Sequence, residues 1–291
     1  MNICSYYYPC SPNEHFLKWE YDIGISLPKC VSDIFNSKCE FYTIKSNIYE
    51  ICNFSDIAYC QLFAIPEKRP AKFVYSIIGD YIGHEEKTKE WIRKVRPNLI
   101  CCLENFPEDL INYGIQYECK VVMFPWFMSE KYLYKEKSIT AMCSGCTDTR
   151  IYPSRALMSN YLKNLNRSDI IVSCSAEFGK YPLSNQEYSD FICKTKYYIS
   201  GGIFDRFVPP KYYEVASHGA CIITFDMDYL SKIGFINGKT CITIKNLSEI
   251  PEILSSDKYI EIGKNAQKMM CERHFVLNRA IEIASAYNEF I

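Results

Sequence analysis

The residues best suited to chemistry lie between positions 196 and 252. There an apolar run ends in Ser200-Gly201-Gly202 and leads into Phe207-Val208-Pro209-Pro210-Lys211-Tyr212-Tyr213-Glu214-Val215-Ala216-Ser217-His218-Gly219-Ala220. Pro209 and Pro210 fit the first turn of a helix, whose early N–H groups are unpaired in any case, and Gly219 fits its end. The spacing therefore predicts one short helix. Its N-terminus offers N–H groups and a partial positive charge to a phosphate, while Glu214, one turn in, can accept hydrogen bonds from a sugar diol. In the first half of the chain, Asp80, Gly83 and His84 fall just after a predicted strand, where a parallel sheet presents its ligands. Asp80 can equally shape a turn after Gly79, and Glu104, which follows another apolar run, can cap a loop.

Those segments need elements to hold them, and the hydrophobic pattern supplies candidates. Short apolar runs bounded by turn residues alternate with stretches of helical periodicity, the pattern of βα units around parallel sheets. Strands are expected at 71–78, 98–103 and 120–124, with a helix at 85–95. Around 125–137 the character changes, as Pro125, Trp126 and Phe127 end one run and a charged stretch at 130–137 leads into the next. The second half begins again with a strand at 138–144, a loop at 145–153 and a helix in which Leu157, Tyr161 and Leu165 recur every four residues. Further strands are expected at 169–174, 196–200, 221–225 and 241–244. Two helices close the chain, one with Ile262, Ala266, Met269 and Met270 on a face, the other with Val276, Ala280, Ile283 and Tyr287.

Composition excludes several classes. With 291 residues, 48% apolar and 23% charged, the chain has the balance of a folded protein rather than a disordered one. Its 33 basic and 34 acidic residues nearly cancel, so a broad electrostatic grip on nucleic acid is not expected. The longest stretch without charge, 1–13, is too short to span a membrane, and its tyrosines and Pro9 make it unlike a secretion signal. The expectation is a cytoplasmic protein without a membrane span. The 16 cysteines are scattered, and several sit in apolar runs as small buried hydrophobes. Cys143 and Cys146 have CxxC spacing, yet no second pair completes a zinc set. His15, His218 and His274 are expected to be packed or solvated. A nicotinamide site is not supported, because Gly201-Gly202 has no third glycine at the required spacing.

The order of pieces in the second half resembles the donor-binding half of GT-B glycosyltransferases, the glycosyl transferases group 1 type. There a "(K/R)xxE(A/V)xxxG" helix is followed by a small apolar strand, an "EG" or "NG" loop, a short strand and an "EI" helix. Here the pieces are Lys211, Glu214, Val215 and Gly219, the run 220–224, Asn237-Gly238, the run 241–244, and Glu249-Ile250. The likeness covers roughly 138–285 and rests on this order. Ser144-Gly145 through Arg150, Tyr152, Pro153 and Arg155 is similar to the same family's "SG…RYPxR" loop.

The resemblance implies an α/β, GT-B-like fold of two Rossmann-like domains facing across a cleft. It implies an N-terminal acceptor-side domain at 1–130 and a C-terminal nucleotide-sugar-binding domain at 131–291, the last helix being free to pack back on the first. It also implies a glycosyltransferase moving a hexose, deoxyhexose or pentose from a UDP- or GDP-linked sugar to a glycan hydroxyl. Glu214 would bind the ribose hydroxyls. The helix start at Val208, Pro209, Pro210 and Lys211 would face the diphosphate together with Ser144, Gly145, Arg150 and Arg155, since a guanidinium makes paired bonds to phosphate oxygens. The alternative for the two arginines is a solvated helix start. Phe178 and Tyr181 lie where the family holds the base. Gly202 and Arg206 belong to the same donor-side loop, and Arg206 stands eight residues before Glu214, where retaining members often carry a second Glu. Asp80, His84 and Glu104 are the candidates for a general base. No cofactor beyond the donor and no divalent metal is expected, because Arg155, Lys211 and helix N–H groups can hold the leaving-group charge. The competing function is a non-catalytic nucleotide- or glycan-binding protein on the same scaffold.

Overall fold

Ala71–Ile78 is apolar almost throughout because it is buried on both faces, as the inner strand of a parallel sheet must be. The computed structural model describes residues 1–7, 21–44, 48–49, 54–62, 65–79, 84–103, 108–177, 182–227 and 229–291. In chain order the first elements are β1 (Asn2–Tyr7), α1 (Leu27–Ile34, entered through a π-turn at Asp22–Ser26), β2 (Lys38–Thr43), β3 (Ile48–Tyr49), β4 (Ser55–Cys60), β5 (Ile65–Pro66), β6 (Ala71–Ile78), α2 (Glu85–Val95), β7 (Leu99–Cys102), α3 (Glu108–Gln116) and β8 (Lys120–Met123). Then come β9 (Ile139–Cys146), α4 (Pro153–Asn164), β10 (Ile170–Ser175), α5 (Asn185–Lys194), β11 (Thr195–Ile199), α6 (Pro210–Ser217), β12 (Cys221–Phe225), β13 (Ile242–Ile244), α7 (Ile250–Leu254), α8 (Lys258–Arg273) and α9 (Val276–Phe290).

By contacts the chain divides into two units, 1–129 with 275–291, and 130–274. The first holds a six-stranded parallel sheet in the order β2-β1-β4-β6-β7-β8. Cys4, Ala58, Val74, Ile78 and Ile100 from one face of this sheet pack with Trp91, Ile92 and Val95 of α2 and Leu110 of α3. Full burial of a side chain such as Ile92 contributes about 1.5–3 kcal/mol. The final helix α9 belongs to this unit: it packs on α1, and its Tyr287 meets Phe35 and Phe73 edge-on.

The second unit is a five-stranded parallel sheet, β10-β9-β11-β12-β13. Leaving aside the small β3-β5 pair, the second sheet runs 2-1-3-4-5 in strand order and the first runs 2-1-3-4-5-6, the same order with one further strand. In such a sheet the chain leaves the first and third strands in opposite directions, and a crevice opens at their carboxyl ends. In this unit those are the ends of β9 and β11. One face packs Cys143, Tyr197, Cys221 and Ile223 against Met158 and Leu162 of α4 and Ile262 of α8.

One expectation needs correction, and the CxxC pair can be placed. Leu157 does not face the core: it is 58% exposed, while Arg155, Met158, Ser159 and Leu162 form the buried stripe of α4. The buried face of the helix therefore runs through Arg155 and not along the aliphatic period. The Cys143 and Cys146 side chains point to opposite faces of β9, as positions three apart on a strand must. Cys143 instead lies 3.7 Å from Cys174 across to β10, and Cys146 Sγ accepts the Asp148 N–H. Among the described residues no helix is long and apolar enough to cross a membrane.

Candidate donor site at the carboxyl end of the second sheet

β9 delivers Ser144 and Gly145 to the crevice, and α4 begins eight residues later. Tyr198 of β11 anchors Ser144: its hydroxyl lies 2.9 Å from Ser144 Oγ and donates to the Ser144 carbonyl at 3.0 Å. Gly145 adopts φ +113°, a backbone that side-chain-bearing residues avoid. A Cβ there would stand 3.1 Å from Arg155 Nη1 and 3.6 Å from Lys211 Nζ. Two cations, one from the helix behind the sheet and one from the helix in front, thus meet over one glycine.

Arg155 is 97% buried by surface area, being 3% exposed. Its Nε donates to Ser200 Oγ at 2.9 Å, its Nη1 donates to the Cys146 carbonyl at 3.1 Å, and Tyr152 lies under the guanidinium at 4.0 Å. These are neutral partners. Among the described residues no carboxylate forms a salt bridge with Arg155, and Nη2 is not used. A buried guanidinium held by neutral groups is an electrostatic cost that a bound anion would offset.

Lys211 opens α6. Its Nζ donates weakly to Ser144 Oγ at 3.4 Å and lies 4.6 Å from the centre of the Tyr188 ring. Burial lowers its pKa to about 8, partly opposed by the nearby Glu214 carboxylate. Glu214, one turn on, accepts a hydrogen bond from Tyr188 Oη at 3.0 Å. The helix end itself is less generous than expected. Pro209 and Pro210 carry no N–H, and the Tyr212 N–H is taken by the Pro209 carbonyl at 3.0 Å, so the ammonium of Lys211 supplies most of the positive charge there.

The loop from Gly201 to Pro209 is strapped to the start of α4. A Cβ on Gly201 would fall 2.5 Å from Ser154 Cβ, and one on Gly202 would fall 2.2 Å from Met227 Sδ, so neither position accepts a larger residue without movement. Asp205 Oδ1 accepts the Ser154 N–H at 3.2 Å, and the Phe204 N–H bonds the Ile151 carbonyl. Phe204 and Asp205 are both left-handed, at φ +49° and +51°, a local strain these contacts hold in place. Val208 and Pro209 are buried. Arg206 is exposed, with its guanidinium 5.7 Å from the Phe207 ring.

The other expected residues are dispersed. Arg150 is exposed and committed to a paired bond with Asp148, Nε–Oδ1 at 3.0 Å and Nη2–Oδ2 at 2.6 Å, which holds that carboxyl at about 2. His84 occupies the exposed cap position of α2, and its carbonyl accepts the Thr88 N–H. Asp80, Glu104, Phe178 and Tyr181 lie outside the described residues. His218 and His274 are packed, the first against Tyr132 and the second bonded to the Ile233 carbonyl.

Sequence reasoning passes over Tyr188, Tyr198 and Ser200, which fix Glu214, Ser144 and Arg155. Each reads as core or strand end, and only Ser200, next to the Gly201-Gly202 pair, carried a signal. Reading the sequence as having no Asp-x-Asp motif near a strand end is wrong: Asp226-Met227-Asp228 directly follows β12 and weakens that ground for a metal-free site. Asp226 is exposed and accepts the Met227 N–H at 3.0 Å, and Asp228 lies outside the described residues. No group of three His, Cys, Asp or Glu side chains converges among the described residues.

No family model and no curated protein matches the sequence. Solved structures do match. HepE of Anabaena, in complex with UDP-glucose, has a TM-score of 0.58 at 10% identity, over 99% of this chain and 100% of that one. A glycosyltransferase from Rickettsia africae scores 0.54 at 9% identity, over 99% and 98%. TarM of S. aureus scores 0.54 at 10%, over 90% of this chain and 58% of that one, so this chain spans little more than half of TarM. At such identities the likeness is one of fold, and with its two parallel-sheet units the chain has the GT-B glycosyltransferase fold.

Proposed function

We propose that the chain is a glycosyltransferase that moves a sugar from a UDP- or GDP-linked donor to a glycan hydroxyl in the cytosol, without a resident divalent metal. The observation that carries this reading is the meeting of Arg155 and Lys211 over Gly145, with neutral partners around the guanidinium. As the bond from the sugar to the diphosphate breaks, negative charge accumulates on the leaving oxygen. Fixed cations in a site of low dielectric favour that charge more than they favour the ground state. Glu214 takes the ribose diol, and the loop bearing Phe178 and Tyr181 takes the base. The acceptor proton goes to a base in the first unit, drawn from Asp80, His84 and Glu104. HepE was solved with UDP-glucose and a TarM variant with UDP and fondaparinux, which supports a nucleotide-sugar donor and a glycan partner.

Thermal-shift titration of the full chain with UDP, GDP, their common sugars and NAD, with and without EDTA, tests the reading. One nucleoside diphosphate should raise the melting temperature, EDTA should make no difference, and the Arg155→Ala, Glu214→Ala double variant should lose the shift. Absence of any nucleotide effect sinks the donor site, and a shift abolished by EDTA returns Asp226 and Asp228 to consideration as metal ligands. Arg206, standing where retaining enzymes often carry a Glu, favours a second reading, a nucleotide- or glycan-binding protein without turnover. Slow hydrolysis of the bound donor would exclude it.

A further inference from the structure

Lys211 and Glu214 sit three residues apart on α6, close enough for opposite charges to close on each other as a surface pair would. In the structure they do not. Tyr188, from α5, stands at both. Its hydroxyl donates to Glu214 Oε2 at 3.0 Å, and its ring faces the Lys211 ammonium at 4.6 Å. Tyr188 is buried, and burial beside the Glu214 carboxylate raises its pKa well above that of a free phenol, so it remains a donor. The ammonium is left directed at Ser144 Oγ, on the strand that carries Gly145.

We propose that Tyr188 is a positioning residue of the donor site, holding Glu214 and Lys211 apart so that the carboxylate is presented to the ribose diol and the ammonium to the diphosphate. This rests on the donor-site reading above and adds a role for a residue that need not touch the donor. The two ends of the side chain serve different parts of the ligand: the hydroxyl acts through Glu214 on the sugar of the nucleoside, and the ring acts through Lys211 on the phosphates.

The two ends can be separated by substitution. Tyr188→Phe removes the hydroxyl and keeps the ring, and Tyr188→Leu removes both. Calorimetric titration of the full chain with UDP, with GDP and with inorganic pyrophosphate gives the readout. Tyr188→Phe should weaken the preferred nucleoside diphosphate by about ten- to a hundredfold, the scale of one hydrogen bond to a charged group, and leave pyrophosphate unchanged. Tyr188→Leu should weaken both ligands. In a Glu214→Ala background Tyr188→Phe should have no further effect, an outcome that a merely structural tyrosine would not give. The role is overturned if Tyr188→Phe binds like the unsubstituted protein, if it weakens pyrophosphate as much as the nucleotide, or if its effect persists without Glu214. Should Tyr188→Leu fail to fold, the Phe variant and the cycle with Glu214→Ala decide alone. If the unsubstituted protein binds none of the three ligands, the donor-site reading itself falls, a result distinct from an unaltered Tyr188→Phe variant.

Discussion

The two sheets share one strand order and differ in what they place at its crossing. In the second unit the ends of β9 and β11 are joined through a buried guanidinium, Arg155 to Ser200, with Lys211 beside it. In the first unit the ends of β1, β2 and β4 are tied by backbone bonds, Gln61 N–H to the Tyr6 carbonyl and Ile44 N–H to the Tyr7 carbonyl, and by Tyr6 stacked on Tyr42. The unit's unsatisfied polar atoms include Ser76 Oγ and Thr88 Oγ1, neutral hydroxyls buried under α2. The shared topology gives each sheet a carboxyl-end crevice, and in the second unit the fold brings a buried guanidinium and an ammonium to it.

The contrast can be broken most severely at Arg155. Arg155→Ala should lower affinity for a nucleoside diphosphate by about 100-fold, because it removes the charge whose unused Nη2 can donate to the anion, a bond that contributes about 1.5–3 kcal/mol. Arg155→Lys should recover only part of this, since an ammonium cannot bridge Ser200, Cys146 and an anion at once. Titration of each variant checks the ranking, and an Arg155→Ala variant of full affinity would remove the distinction between the units.

pH sharpens it next. Burial lowers Lys211 from the ordinary 10.5 to about 8, so the folded protein releases this proton before the unfolded chain does. Between those values the unfolded state binds more protons, and stability of the ligand-free protein should rise with pH; Lys137, buried and lowered to about 8 as well, adds to the trend. Diphosphate affinity should move the opposite way, falling as Lys211 loses its charge. Arg155, Glu214, Ser144, Tyr188 and the Cys143 and Cys174 thiols are the groups around it. Lys211→Arg should hold affinity nearly constant up to pH 10, so parallel melting and binding series at pH 7 to 10 separate the two effects.

Smaller changes probe the geometry. Gly145→Ala should cost about 1–3 kcal/mol of stability from its φ of +113°, and lower diphosphate affinity as Arg155 Nη1 is displaced. Ser76→Ala, in the first unit, should be neutral or stabilising by less than about 1 kcal/mol, since the hydroxyl it removes has no partner. It should leave nucleotide binding unaltered. A loss of binding there would mean that the first crevice carries part of the donor.

Much of this architecture is readable before any coordinates. β6, β9, β11 and β12 are continuous apolar runs, because strands covered on both faces leave no room for polar alternation. β1 and β2 escape notice since their sequences, NICSYY and KCEFYT, are rich in Cys, Tyr and charge, and β2 is a sheet edge with mostly exposed side chains. α5 is not among the expected helices, although its full capping box between Ser184 and Glu187 is a helix-start signal in the sequence. In the site, Lys211, Glu214 and Arg155 stand out by type and spacing. Tyr188 and Tyr198 do not, because a buried tyrosine in sequence is indistinguishable from any other core aromatic until its hydroxyl is seen to have a task.

One connection has a bearing on synthesis. The first sheet is made first, yet α9, which packs on α1 and sends Tyr287 against Phe35 and Phe73, is made only after the whole of residues 130–274. Residues 130–274 form a contiguous insert that can close during translation, while the earlier unit waits with an apolar face uncovered. The usual order of maturation, N-terminal domain first, can thus be reversed: all contacts of the second unit lie within residues made before α9, which the first unit needs.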